Sequence, residues 1–178
     1  MTRTSRLLAF GAAATVATTA VVAPSTSAAG ATDSQATLLE YAQDTWRSMD
    51  AMVDPGTGLV SDNIGGDLAS TDRAAYTSPT NIGAYMWSAI AARDIGIIEP
   101  DVARDKIAAT LHGVAGLEKH EPSGMFYNWY SPADGHKLTV WPADNSTVYP
   151  FLSSVDNGWL ATALTMVAMI QDMKEALG

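Results

Sequence analysis

Residues 151–170 read FLSSVDNGWLATALTMVAMI, and the two halves of this stretch ask for different surroundings. Phe151 to Gly158 is rich in turn formers and carries one carboxylate, Asp156, whereas Trp159 to Ile170 holds apolar residues and two threonines. A polar loop followed by a helix is the expectation. A helix apolar on every face is expected in the interior of an all-helical assembly, with its N-terminal end opening onto solvent or a cleft. Twelve residues are too few to span a membrane, which takes roughly 20. Asp156 then stands where the helix begins. Its structural role is an N-cap accepting from the free amides of the first turn. Its functional role is a carboxylate held at the mouth of a pocket by a rigid element.

Upstream, the chain alternates loops and helices. Gln35 to Met52 places Leu38, Leu39, Ala42, Trp46 and Met49 at helical spacing, with Asp33 or Ser34 as cap. Asp54-Pro55-Gly56-Thr57-Gly58 ends that helix, and Leu59 to Tyr76 is a long loop without helical period. Ser78 fits an N-cap and Pro79 a first helical position. The helix they open has Ile82, Tyr85, Met86, Ala89 and Ile90 on one face and Gly96 as its stop. Pro100 opens another, to about Lys119, with Ala103, Ile107, Leu111, Val114 and Leu117 as its buried stripe, antiparallel to its predecessor because the connection is short. Met125 to Tyr130 and Leu138 to Trp141 read as short extended segments around the turn Ser131-Pro132-Ala133-Asp134-Gly135. No fixed-period repeat is visible. The expected architecture is all-α, with four helices in two hairpin pairs and a small β excursion.

Composition narrows the function. Residues 1–29 have the form of a secretory signal: Arg3 and Arg6, an uncharged apolar run from Leu7 to Ala23, then small residues up to Ala29. The protein is therefore expected outside the cell, with residues 30–178 as its folded domain and no membrane attachment after the signal is removed. With 10 Lys+Arg against 19 Asp+Glu the formal charge is -9, which speaks against nucleic acid or an anionic lipid surface as partner. The absence of cysteine removes disulfides, thiol catalysis and cysteine-bound zinc. His112, His120 and His136 stand in no metal-ligand spacing, and no glycine loop has the phosphate-cradling pattern, so neither metal nor cofactor is expected.

What remains is a set of loop carboxylates and loop aromatics. Sugars present hydroxyls to carboxylates and amides, and apolar faces to tryptophan and tyrosine. Cleaving a glycosidic bond takes two carboxyl groups flanking it. Asp62, Glu121 and Asp156 lie at element ends and are the candidates for that role; Trp129, Tyr130 and Trp141 are either sugar platforms or core residues.

The phrases YTSPTNIG from Tyr76, AARDIGII from Ala91, FYNWYSP from Phe126 and PFLSSVDNGWLATAL from Pro150 together resemble the bacterial glucoamylase-like family, which is related to endo-β-1,2-glucanases and to the cyclic β-1,2-glucan synthase region. The resemblance runs from about Trp46 to Val167. It implies a six-hairpin α/α toroid with a glycan cleft at one end, and a glycoside hydrolase acting on a β-glucan, with β-1,2-glucan as one candidate; the alternative is a non-catalytic glycan-binding module or inactive fragment. Carried onto this chain, it marks Tyr76, Thr77, Ser78, Asn81, Asn128, Trp129, Tyr130 and Asn157 as substrate-binding candidates and favours Asp156 among the carboxylates. Where some β-1,2-glucanases carry carboxylates just after the glycine of the last phrase, this chain has Trp159 and Thr162. Six hairpins need about twelve helices, so four helices ending near Gly178 are expected to be the N-terminal portion of such a toroid. An apolar face left uncovered there would promote self-association.

Overall fold

The computed structural model describes the backbone of residues 28–177 and the side chains of 33–170, so nearly all of the expected signal lies outside the described residues. The fold is all-α. Helix α1 spans Ala28–Ala51, α2 Pro79–Asp94, α3 Pro100–Ala115 and α4 Ser154–Leu177, with a 3-10 turn at Ser70–Asp72. The expected β excursion forms no strand among the described residues; pairing there is confined to isolated antiparallel bridges.

The punctuation of α2 follows from its sequence. Ser78 accepts a hydrogen bond at Oγ from the Asn81 amide, 3.3 Å away, and Pro79 follows where a missing N–H costs nothing. At the other end Gly96 takes φ +75°. The Ile97 amide reaches back to the Ala92 carbonyl at 2.7 Å and the Gly96 amide to Arg93 at 3.0 Å, a Schellman closure that satisfies carbonyls the helix leaves open. Helix α1 begins earlier than expected. Asp33 and Ser34 lie inside it, and the Asp33 carbonyl accepts from Thr37 Oγ1 at 3.0 Å. Ala28 and Ala29, the best helix formers, extend the helix upstream.

Helix α2, rather than the stretch from Phe151 to Ile170, is the centre of the molecule. It touches α1, α3 and α4, and lies most heavily against α4. Helices in two separate pairs are thus replaced by three helices around one hub. Ile82, Tyr85, Met86, Ala89, Ile90 and Ala92 of α2 are buried, and Trp46 of α1 stacks on Tyr85 with ring centroids 5.9 Å apart. Each fully buried side chain of this size contributes roughly 1.5–3 kcal/mol. The crossing of α2 with α4 depends on Gly83. A Cβ there would lie 3.0 Å from the Trp159 carbonyl oxygen and 3.2 Å from Leu160 Cα, so the glycine of the TNIG phrase sets how closely the helices approach.

Helix α4 departs from expectation. Leu160 and Ala163 are buried against α2, but Trp159 is 55% exposed, Met169 is 58% exposed, and Ala161, Thr162 and Thr165 face outward. An all-round apolar sequence permits burial on every side; among the described residues only one side finds a partner.

A regularity invisible to fixed-period inspection organises the loops. Residues 53–60, 119–126, 130–137 and 140–147 are four copies of one eight-residue turn. In each, the first and eighth residues form an antiparallel bridge. The second residue's amide donates to the seventh's carbonyl and the sixth's amide to the second's carbonyl, all at 2.8–3.0 Å. The sixth residue has left-handed backbone: Gly58, Gly124, Gly135 or Asn145, with φ between 59° and 74°. The fifth residue supplies an oxygen, from Thr57, Ser123, Asp134 or Asp144, that accepts from the seventh's amide. The first copy packs directly on α3, where a Cβ on Gly113 would lie 2.4 Å from the Thr57 carbonyl oxygen.

Candidate functional site

The first turn of α2 gathers two of the three candidate carboxylates. Asp62, at the end of the segment following the first turn copy, accepts at Oδ1 from Asn81 Nδ2 at 2.7 Å and at Oδ2 from Asn63 Nδ2 at 3.1 Å. Asp156, from α4, accepts at Oδ1 from Thr80 Oγ1 at 2.8 Å. The two acids are therefore hung on consecutive residues of one helical turn. Close packing of α2 on α4 through Gly83 brings Asp156 there, and a backbone hydrogen bond from the Asp62 amide to the Tyr76 carbonyl, 2.9 Å long, holds Asp62.

Asp156 is not the cap of α4. Ser153 is, accepting at Oγ from the Asp156 amide at 3.1 Å. Asp156 sits in the first turn instead, because Ser153 can reach the amide three residues on. Its carboxylate thus stands at the positive ends of two helices, its own and α2, where negative charge is favoured.

Beside Asp62 lies an aromatic cluster. Tyr76 is 4.5 Å from Trp141 and 5.5 Å from Trp129, and the two tryptophans are 5.4 Å apart, all ring centroid to ring centroid. All three are half-buried. The Tyr76 hydroxyl accepts from Asn63 Nδ2 at 3.3 Å, so the aromatic cluster and Asp62 share one amide. Asn63 and Thr80 were not marked by sequence reasoning, which named Trp141 as either a sugar platform or a core residue. Thr80 lies within the TSPTNIG phrase and was within reach; nothing in the sequence points to Asn63.

The other candidates occupy supporting positions. Thr77 and Tyr130 exchange backbone hydrogen bonds at 2.8 and 3.0 Å, which ties the lead into α2 to the aromatic segment. Tyr130 is fully buried, its hydroxyl donating to the Glu118 carbonyl at 2.5 Å and accepting from the Tyr127 amide at 2.7 Å. Burial pushes that phenol up to about 12. Tyr130 is a pillar under the platform rather than part of its face. Asn157 is likewise committed, accepting from the Phe126 amide at 2.8 Å and donating to the Phe126 and Ser153 carbonyls, each at 2.9 Å. Asn128 is buried, with its amide nitrogen on the backbone donating to the Phe151 carbonyl at 3.0 Å. Its side-chain oxygen, Thr77 Oγ1 and Ser61 Oγ have no hydrogen-bond partner. Glu121 is exposed at the tip of the second turn copy, on a loop fixed to α4 through Phe126 and Asn157.

Two clefts lie away from these residues. An apolar cleft of about 270 Å³ between α2, α3 and α4 is lined by residues including Ile90, Ile107, Leu111 and Val167, and an open one of about 360 Å³ by Asp50, Tyr85 and Lys106. In the second, Tyr85 donates to Asp50 at 3.4 Å, and Lys106 pairs with Asp50 at 2.5 Å. Burial first, then the Asp50 charge, pushes the Tyr85 phenol well above its ordinary range. Neither cleft includes Asp62, Asp156 or the platform aromatics. No group of side chains among the described residues could hold a metal ion, and no described helix is long and apolar enough to cross a membrane.

Two comparisons bear on this arrangement. The chain is 28% identical over 138 residues to the cyclic β-(1,2)-glucan synthase NdvB of Rhizobium meliloti (strain 1021). That match covers 77% of this chain and about 4% of the length of the synthase. Residues 40–176 match the model of a family described as protein of unknown function, DUF3131. The matched range takes in the second half of α1, all of α2 and α3, α4 but for its last residue, the four turn copies and both site carboxylates, and the chain belongs to that family.

Proposed function

We propose that this chain is a secreted carbohydrate-active protein that holds a β-glucan, of β-1,2 linkage, along the face formed by Asp62, Asn81, Asp156, Tyr76, Trp129 and Trp141. The observation that carries the reading is the meeting of two carboxylates at one helical turn, one of them joined through Asn63 to a cluster of three half-buried aromatic rings. Rings offer flat faces to the apolar sides of sugar units, and the acids and amides beside them take the hydroxyls. Likeness to a cyclic β-(1,2)-glucan synthase supports glucan as the ligand class and the β-1,2 linkage as the first to try.

The chemistry that fits such a pair is glycoside hydrolysis. One carboxyl group protonates the leaving oxygen, and the other activates water or attacks the anomeric carbon. In this reading the four helices are an arc of an α/α toroid, and the N-terminal ends of α2 and α4 open onto its glycan face. Residues 1–29 direct export.

Titration calorimetry of residues 30–178 with linear β-1,2-glucan, followed by a reducing-end assay on the same mixture, tests both levels. Binding that Trp129→Ala weakens at least about fivefold is expected, taking the roughly 1–3 kcal/mol of a flat group stacked on an aromatic ring as the scale. Absence of binding to any β-glucan would overturn the proposal. Binding with no new reducing ends would leave a glycan-binding module in place of an enzyme.

A further inference from the structure

We infer that the site selects by charge, accepting uncharged glucan and rejecting glycans that carry sulfate or carboxylate groups; this deepens the glucan reading above and rests on it. The N-terminus of a helix is ordinarily a ready place for an anion, with free amides and the positive end of the dipole. Here the protein supplies those anions itself. In the first turn of α2, Ser78 Oγ takes the Asn81 amide, Asp62 is bonded to the Asn81 side chain at 2.7 Å, and Asp156 is bonded to Thr80 at 2.8 Å. The first turn of α4 contains Asp156 itself, with its amide on Ser153.

The partners of both acids are uncharged. Asp62 is met by asparagine amides and Asp156 by a threonine hydroxyl. The cations of the described residues are engaged elsewhere. Arg73 donates to the Ala51 carbonyl, Lys106 pairs with Asp50, and Lys137 pairs with Glu118. Lys119 lies over the Phe126 ring, and Arg47, Arg93 and Arg104 pair with aspartates on their own helices. Among the described residues, two carboxylates without a cationic partner thus stand at the first turn of α2, with Asp62 next to the platform, in a chain of formal charge -9. A hydroxyl finds acceptors there, whereas a sulfate or carboxylate brought to the same place meets like charge without a counter-ion.

The test titrates residues 30–178 with linear β-1,2-glucan and with the same glucan partially sulfated, at about 20 mM and about 500 mM salt, since screening shortens to about 3–4 Å at the higher value. The sulfated chain is expected to bind at least about tenfold more weakly at low salt, with the gap narrowing at high salt. Asp62→Asn with Asp156→Asn, checked for retained helicity by circular dichroism, should close the gap at low salt. Equal or tighter binding of the sulfated glucan by the native protein would overturn charge selection while leaving the glucan reading intact. A gap unaffected by salt would also overturn it, and that measurement needs no variant. Failure of the uncharged glucan to bind would remove both.

Discussion

Helices α2 and α4 cross each other at Gly83, yet their sequences and their surroundings are mismatched. Trp159 to Ile170 of α4 is apolar nearly throughout, while α2 mixes Asn81, Ser88, Arg93 and Asp94 with its apolar residues. The mixed helix is the buried hub, and the apolar one lies along it with Trp159 and Met169 exposed. Burial is a property of neighbours. An apolar stripe states what a helix tolerates, and the number of elements packed around it decides how much of that tolerance is used.

That contrast is sharpest within α4 itself, between adjacent residues. Leu160 is 1% exposed against α2 and Trp159 is 55% exposed. Leu160→Ala should destabilise the fold by about 2–5 kcal/mol in urea titration, the cost of a lost side chain plus a cavity. Trp159→Ala should change stability by no more than about 0.5 kcal/mol. Equal losses at the two positions would mean that α4 is packed on both sides. Gly83→Ala pushes a methyl group against the α4 backbone at 3.0–3.2 Å, and should cost about 1–3 kcal/mol by the same measurement. Asp156→Ala removes the hydrogen bond from Thr80 and a charge favoured at two helix ends, for a loss of about 1–2 kcal/mol. Asp156→Asn should cost less, because the amide oxygen still accepts from Thr80.

The hub and its loops also set the alkaline limit of the fold. Tyr130 is raised to about 12 by burial, and Tyr85 of α2 is raised by burial and by Asp50. A phenol whose folded pKa is raised contributes stability that is complete below the ordinary tyrosine value of about 10 and is lost as pH climbs through the folded value. The urea midpoint should therefore hold steady to about pH 10 and fall between there and pH 12. Tyr130→Phe should lower the midpoint at neutral pH, because the Tyr127 amide loses its acceptor and the Glu118 carbonyl its donor. The same variant should flatten the alkaline fall. A midpoint independent of pH across that range would show that neither phenol is buried in the folded protein.

How much of this could be read from the sequence divides along physical lines. The ends of α2 were legible because Ser78, Pro79 and Gly96 act through backbone geometry within a few residues of themselves. Its buried face, from Ile82 to Ile90, was legible because helical period is local. The burial of α4 was not, since it depends on how many partners surround the helix. The position of Asp156 within the first turn of α4 turned on a competition between Ser153 and Asp156 for the same cap, which the string SSVD leaves open. The four turns escaped notice because their starts at 53, 119, 130 and 140 are unevenly spaced, and because proline sits third in three copies and fourth in the other. Their common signal is a hydroxyl or carboxylate residue followed by Gly or Asn, which recurs by function rather than by period. The pairing of Asp62 with Asn81 and of Asp156 with Thr80 links residues 19 and 76 positions apart. Such contacts follow from the fold, so only the residue types were visible beforehand.

The central claim is that glucan lies along the first turn of α2 and the aromatic cluster, and hydrogen exchange with and without linear β-1,2-glucan tests it most directly. Protection of amides in 61–64, 76–82 and 127–142, with α3 from Pro100 to Ala115 unchanged, is the result this account predicts. Protection concentrated instead on α3 and the cleft lined by Ile107, Leu111 and Val167, with the α2 start and the tryptophan segment unaffected, would contradict it.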